Sequence, residues 1–557
     1  MIEIRPSNKN WNTRGQDTAA RLAEARPYVQ GKIVEAANVV KLLEAVLRPG
    51  DKVNIEGDNQ KQADFLAKQL CAVDPAKVHD LHMIQSTLSL PEHLDVFEKG
   101  IARKLDFAYA GSQGKRLAQM VQNDGVELGA IHTYLEMYSR YFIDLIPRVS
   151  LVCADAADKE GNIYTGFSTE DTPAIVEATK FNQGIVIFQV NKIVDKVPRV
   201  DIPADWVDFV VESPEPYLLN PLFTRDPAKI TDDRIMKAMM AIKGIYAEYG
   251  VKVLNHGVGF DTAAVELLLP TFGEDLGLKG KICTHWVLNP HPTLIPAIET
   301  GWVQQVYSFG SEVGMEEYIK ARPDIFAIGP DGTMRSNRAF SQAAGHYAAD
   351  MFIGSTMQID KYGNSSTATK NNVAGFGGAP NMGCDAKGRR HVTEAWKKAG
   401  EEAAGRFELI GDANRGKKLV VQMITTVSAK GFPGFVEQLD AVALKKNANL
   451  DLEPIMIYSD DLTHIVSEVG IAYLHKCHNM EERMDAIRAV AGKTAVGQQE
   501  DPEITKRLRK EGIVKLPEDL GINPAAATTD LLAAKNMKDL VDWSGGLYNP
   551  PAKFRTW

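Results

Sequence analysis

Cysteine is scarce and scattered in this sequence. Five residues among 557, Cys71, Cys153, Cys283, Cys384 and Cys477, lie far apart with no C-x-x-C pair. That spacing suits neither a disulfide framework nor a zinc finger, and a reducing, cytoplasmic setting is expected. A basic excess is also lacking: 63 Lys and Arg against 72 Asp and Glu leave a formal charge of −9. A general nucleic-acid or membrane-surface binder is therefore not expected. Apolar runs such as Gly184 to Val190 fall far short of the roughly 20 residues that a spanning helix needs, so no membrane is implied. The opening stretch MIEIRPSNKNWNTRGQ has no apolar centre and no cleavage pattern, and does not read as a signal peptide. The 12 histidines show no ligand spacing, so no metal site is expected.

What is present is an ordinary globular composition, 44% apolar and 24% charged, in a chain too long for one core. Apolar strand patterns recur at Lys52 to Glu56, Phe107 to Ala110, Val149 to Ala154, Gly184 to Val190 and Val207 to Val211. Helical stretches separate several of them, including Val34 to Leu47 and Ala174 to Thr179, the latter capped by Asp171-Thr172-Pro173. Such alternation predicts an open α/β sheet. A helical stretch from Thr231 carries Met236, Met239 and Met240, the makings of a core seam. Further strands are expected at Lys281 to His285, Val303 to Phe309, Met351 to Ile359, Lys418 to Ile424 and Pro454 to Tyr458.

The chain also repeats itself. Gly50, Lys52, Val53, Gly57 and Ala63 recur at a constant offset as Gly250, Lys252, Val253, Gly257 and Ala263. In each copy a glycine leaves a strand and a helix begins. Two related α/β halves follow, 1–230 and 231–557, the second ending in a Gly/Pro/aromatic tail, WSGGLYNPPAKFRTW, expected to dock as an arm on another subunit.

Between two of the later strands lies the stretch IDKYGNSSTATKNNVAGFGGAPNMGCDAKGRRH, from Ile359 to His391. Glycine lets backbone amides approach a ligand or adopt positive φ, and a run of such amides can cradle negative oxygen. Gly375, Gly377, Gly378 and Gly383 supply the glycines, Asn371, Asn372 and Asn381 supply amides, and Lys387, Arg389, Arg390 and His391 supply charge. The competing readings are a plain surface turn and a solvated charge run. Cys384 has no evident base beside it and reads as a loop filler.

The succession TPAIVEATK, NHGVGFDTAAVELLLP, FGSEVGM, FIGSTMQIDKYGN, AGFGGAPNMGCDAKGRRH, HIVSEVGIAYL and WSGGLYNPPA resembles the malonate decarboxylase alpha-subunit family over nearly the whole chain. That family is similar in turn to family I CoA transferases and acetyl-CoA hydrolases, whose GVGGQVDF-like loop corresponds to GFGGAPNM here. The resemblance implies two related, open, mostly parallel-sheet CoA-transferase-like domains. It implies an acyl-carrier-protein transferase that exchanges the acetyl group of a carrier thioester for malonate, giving malonyl-carrier protein and acetate. The partners implied are an acyl carrier subunit and separate decarboxylase subunits. The resemblance also implies no covalently bound cofactor, with the carrier's phosphoribosyl-dephospho-CoA arm as substrate, its phosphates suited to a glycine cradle and arginines. Gly375, Gly377, Gly378, Ala379, Asn381, Arg389 and Arg390 are candidates to bind that arm and its acyl group, together with Gly57, Gly257 and Gly259.

One departure from the pattern matters for mechanism. Family I CoA transferases use a glutamate nucleophile, but the matching segment here, Lys281-Ile282-Cys283-Thr284-His285-Trp286, has no carboxylate. Glu299, Glu312 and Glu468 lie in the same half and stay open as alternatives, although Glu468 matches a TEYG-type element of relatives that is not their nucleophile. The preferred mechanism is direct transfer, in which a malonate carboxylate attacks the acetyl thioester and the protein positions the groups and stabilises the oxyanion. Asn59, Gln60 and His285 are the catalytic candidates. His285 could orient malonate or polarise a carbonyl, or could be a hydrogen-bonded histidine under the sheet; Asn255 and His256 invite the same two readings. Malonate's second carboxylate calls for an arginine fork, for which Arg389 and Arg390 compete with the carrier's phosphates. A CoA transferase or acyl-CoA hydrolase acting on free CoA thioesters is the alternative, and a non-catalytic metabolite sensor is a further one.

Overall fold

Val149 to Asp158 reads VSLVCADAAD, almost without polar interruption, and nine of its ten residues are buried, as befits a strand covered on both faces. The computed structural model describes residues 11–57, 61–334, 336–378 and 419–557. It divides into two compact units: Met1–Phe107, Asn123–Ala130 and Glu136–Leu219 form the first, and Ala108–Gln122, Ile131–Leu135 and Asn220–Trp557 the second. No helix among the described residues is long and apolar enough to cross a membrane.

The first sheet runs, edge to edge, Val29–Gln30, Ile33–Val34, Phe209–Glu212, Ile185–Val194, Val149–Asp158, Lys52–Ile55, Leu81–Thr87, Ala102–Tyr109 and Glu127–Ile131, with Ile163–Tyr164 added on the Val149 strand. Pairing is parallel from Ile33 through Leu81. The second sheet runs Gln305–Tyr307, His285–Val287, Val253–His256, Met351–Ser355, Leu419–Met423, His464–Val466, Ile471–Tyr473 and Val514–Lys515. Its first six strands are parallel and its last two antiparallel.

The repeat has a structural basis. Lys52–Ile55 and Val253–His256 each lie inside their sheet, flanked by the next strand in sequence and by a later one, all parallel. Gly50 and Gly250, just before them, have φ of +79° and +56°, and a Cβ on either would meet nothing within 4 Å. Left-handed backbone alone, not crowding, asks for glycine there. Helices Asp64–Leu70 and Phe260–Leu268 follow the two turns. In the second unit, helix Asp232–Ala241 buries Met236, Met239 and Met240 and packs on Phe260–Leu268, so the methionines do fill a core seam.

Several expectations need correction. Met351 to Ile359 is two strands, Met351–Ser355 and Gln358–Asp360, in different sheets. Pro454 to Tyr458 holds only a bridge from Ile457 to Ser365. Asp171 does not cap its helix, because its carboxylate accepts Ser86 Oγ and Tyr138 Oη, each at 2.6 Å. The strand expected at Lys281 to His285 instead begins at His285, because Cys283 adopts a left-handed φ of +57°. Apart from these corrections, part of the tail packs on its own unit, which leaves its expected contact with another subunit open: Tyr548 is buried, and the Asn549 amide donates to the Gly314 carbonyl at 2.9 Å.

Candidate functional site

The described half of the glycine-rich loop, 374–378, is docked by backbone on residues 108–110 and 133–134 of the same unit. The Ala110 amide donates to Ala374 O at 2.8 Å, Phe376 N to Ala108 O at 2.7 Å, and Tyr134 N to Gly377 O at 3.0 Å. Gly375 and Gly377 have φ of +81° and +68°. A Cβ on Gly375 would overlap the Ala108 carbonyl oxygen, and one on Gly378 would overlap the Gln342 side chain. Chain approach therefore demands glycine here. The amides of Ala374, Phe376 and Gly377 are committed to carbonyls. Those of Gly375 and Gly378 donate to no described residue, which leaves two of the loop's N–H groups for a ligand oxygen. Upstream, the ribbon of Ala368–Thr369 and Asn372–Val373 lies on helix Gly114–Gln122, pinned by Gln122 Nε2 donating to Lys370 O at 2.6 Å.

Gly257 and Gly259 form the second-unit turn. The Gly257 amide donates to Ile353 O at 2.7 Å, and a Cβ on Gly257 would come 3.0 Å from Gly354 Cα. Gly259 is the N-cap residue of helix Phe260–Leu268, where unpaired amides begin. Beneath the turn, His256 donates from Nδ1 to Glu266 Oε1 at 2.8 Å and accepts from Tyr246 Oη at Nε2, 2.7 Å. His291 Nδ1 donates to the same Glu266 oxygen at 2.9 Å, and Thr293 Oγ donates to the other. Burial alone would raise the Glu266 carboxyl, but His291 and His256 outweigh it and hold it well below the usual range. Burial pushes His291 down, against the pull of Glu266.

Gly57 occupies the equivalent position in the first unit. A Cβ there would sit 2.5 Å from His93 Cε1 and 2.9 Å from Thr87 O. Burial drives His93 down to about 3, and its Nδ1 accepts from the Ser89 amide at 3.2 Å. Glu56, the repeat counterpart of His256, is likewise a buried prop, accepting from Cys153 N at 2.9 Å and Thr172 Oγ at 2.5 Å beside Lys61 Nζ. Each glycine turn thus stands on a buried polar side chain.

Of the remaining candidates, Asn59, Gln60, Ala379, Asn381, Arg389 and Arg390 lie outside the described residues, as do Gly383, Cys384, Lys387 and His391. His285 opens its strand, paired with Val253 four residues before Gly257, and so lies about 13 Å of strand away from the Gly257 turn. Its Nδ1 pairs with Thr284 Oγ1 at 2.9 Å and its ring stacks on Tyr307. The structure therefore groups Gly375, Gly377 and Gly378, and separately Gly257 and Gly259, without bringing His285 to the turn.

The glutamates weighed as nucleophiles are all engaged. Glu299 accepts from Tyr318 Oη at 2.7 Å and Arg322 Nη1 at 2.6 Å, and Glu468 from the Thr426 amide at 3.1 Å. Glu312, fully buried, accepts from Thr224 Oγ1 at 2.7 Å and Phe223 N at 3.2 Å, and burial raises its carboxyl to about 8. Residue-pattern reasoning missed Ala108, Tyr109 and Tyr134 as the loop's seat, since backbone contacts carry no side-chain signal. It also missed Glu266, although a lone carboxylate inside the apolar run AVELLL could have drawn notice.

Residues 10–557 match the family model described as malonate decarboxylase, alpha subunit, transporter. An acetyl-S-ACP:malonate ACP transferase from Malonomonas rubra is 65% identical over 550 residues, 99% of each chain. Among solved structures, a chain of a Pseudomonas malonate decarboxylase hetero-tetramer in complex with malonate superposes with a TM-score of 0.91 at 56% identity, covering 99% of this chain and 100% of that one. The alpha subunit of citrate lyase from Streptococcus mutans, solved with citrate, shares the fold at a TM-score of 0.57 and 13% identity, over 85% and 84% of the two chains. Two largely parallel α/β sheets, paired glycine turns and a docked glycine loop accompany similarity over essentially full length, and the chain belongs to the malonate decarboxylase alpha-subunit family.

Proposed function

We propose that this chain is an acyl-carrier-protein transferase that exchanges acetyl on a carrier thioester for malonate. Its products are malonyl-carrier protein and acetate. What carries the reading is the 65% identity over 99% of both chains to a protein of that named activity. The carrier's phosphoribosyl-dephospho-CoA arm and the carrier and decarboxylase subunits are the partners in this reading, and the cytoplasm its setting.

Transfer is direct. A malonate carboxylate oxygen attacks the acetyl carbonyl, the C–S bond breaks, and the thiolate leaves behind an acetyl malonyl anhydride. That thiolate then attacks the malonyl carbonyl and acetate departs with the oxygen that malonate supplied. No net redox change or external proton is required. The protein holds the arm and the developing oxyanion with backbone amides. Gly375 and Gly378 of the loop, and the first turn of helix Phe260–Leu268 behind Gly257 and Gly259, are the proposed donors. Gly377 shapes the loop by its left-handed φ. Gly57, with Asn59 and Gln60, is proposed to do the corresponding work in the first unit, and Ala379, Asn381, Arg389 and Arg390 to meet the arm's phosphates. His285 is proposed to act, if anywhere, by positioning, since it starts its strand. Support for a substrate-derived nucleophile is that Glu299, Glu312 and Glu468 all accept hydrogen bonds.

Purified chain, given acetyl-carrier thioester and labelled malonate, is expected to form labelled malonyl-carrier protein with stoichiometric acetate. Exchange with free acetyl-CoA at an equal or higher kcat/KM would overturn the reading in favour of a CoA transferase.

A further inference from the structure

A dicarboxylate acceptor presents one carboxylate to the thioester and a second that must be held, and the second unit contains a cation suited to the task. Arg225 is 5% exposed, yet neither Nη1 nor Nη2 has a hydrogen-bond acceptor among the described residues. A buried guanidinium with both terminal nitrogens unpaired is costly, and such groups are normally tied to a carboxylate or phosphate. The two carboxyl groups that act on it do not serve. Glu266 and Glu312 attract it electrostatically. Both oxygens of Glu266, however, are taken by His256, His291 and Thr293, and those of Glu312 by Thr224 and Phe223. Glu312, raised to about 8 by burial, is also largely protonated near neutrality and offers little countercharge.

Arg225 stacks over the Phe223 ring at 5.7 Å, and Phe223 in turn stacks on His291 at 5.5 Å, so the fork is braced by the network under the Gly257 turn. It also acts electrostatically on Tyr109, the residue bridged to Gly375 of the glycine loop. The guanidinium therefore lies within electrostatic reach of the segment whose Gly375 and Gly378 amides, which donate to no described residue, are the proposed oxyanion donors, within one unit of the fold.

Resting on the transferase reading above, we infer that Arg225 is a specificity-determining residue that binds the non-reacting carboxylate of the acyl acceptor through both terminal nitrogens. Acetate lacks that carboxylate, so Arg225 discriminates malonate from the product acid. Planar two-point recognition requires arginine, and lysine would keep the charge but lose the fork.

The test compares two acceptors on the same acetyl-carrier substrate: labelled malonate, read as malonyl-carrier formed, and labelled acetate, read as degenerate exchange. In Arg225→Met the ratio of malonate to acetate kcat/KM should fall roughly 100-fold or more, the worth of two charge-assisted hydrogen bonds. Arg225→Lys should fall between wild type and Arg225→Met, with the malonate effect mainly in KM. A parallel loss with both acceptors, or an unchanged ratio in a variant that melts like wild type, would overturn the assignment. Calorimetric titration of the full chain with malonate decides the point without turnover: binding should weaken by the same factor in Arg225→Met, and equal affinity would refute it. Wild type that binds malonate through Arg225 but exchanges neither acid would sink the transferase reading and leave the binding site standing.

Discussion

At the scale of single residues, the chemistry rests on groups whose surroundings leave them little choice. Gly375 combines a φ of +81° with an approach to Ala108 O that excludes any Cβ. Gly375→Ala should therefore unseat the loop and cost roughly a hundredfold or more in transfer, the effect of losing an aligned oxyanion donor, while circular dichroism stays as in wild type. Retained activity would remove the loop from the site. Glu312 makes a pH prediction. In the folded chain its carboxyl stays protonated up to about 8, whereas the unfolded chain releases the proton near its ordinary value of 4.5. The stability it contributes is complete below that lower value and is lost as pH rises toward 8. Glu312→Gln should thus gain melting temperature relative to wild type between pH 5 and pH 8. A constant difference across that window would show that the carboxyl titrates normally.

At the scale of elements, each glycine turn is a strand end propped by a buried polar residue, Glu56 in one copy and His256 in the other. Glu266 anchors the second prop from helix Phe260–Leu268, and removing its charge leaves two imidazole N–H donors facing a weaker acceptor. Glu266→Gln should cost about 3 kcal/mol, the scale for breaking a buried charge network, read as a lower urea midpoint; a midpoint within error of wild type would contradict that role. Much of this level was legible in the sequence. Gly184 to Val190 reads as a near-continuous apolar run and falls in strand Ile185–Val194, and the constant offset between Gly50 and Gly250 marks two equivalent strand-to-helix turns. What escaped notice has physical causes. Leu81–Thr87, LHMIQST, is a buried strand whose His, Gln, Ser and Thr mask the pattern. His285 lay at the wrong end of its strand because nothing in Lys281 to Thr284 reveals that Cys283 turns left-handed. Arg225, in LFTRDP, looks like any solvated arginine until the tertiary fold buries it.

At the scale of the whole molecule, the chain's last residues return to its second unit. Tyr548 is buried and Asn549 is bonded to Gly314, two residues from Glu312. Deletion from Tyr548 onward should loosen that segment, seen as faster proteolysis around Gly314 and lower transfer activity; a truncated chain as resistant and active as the full one would show the tail to be dispensable. The larger question is which atom attacks the thioester, and one isotope experiment answers it. In a single turnover of acetyl-carrier protein with malonate labelled by oxygen-18 in every carboxylate position, direct transfer delivers one heavy oxygen from malonate into the released acetate. Unlabelled acetate, with the heavy oxygen found instead in a glutamate of the protein, would mean that an enzyme carboxylate had attacked first and would contradict direct transfer.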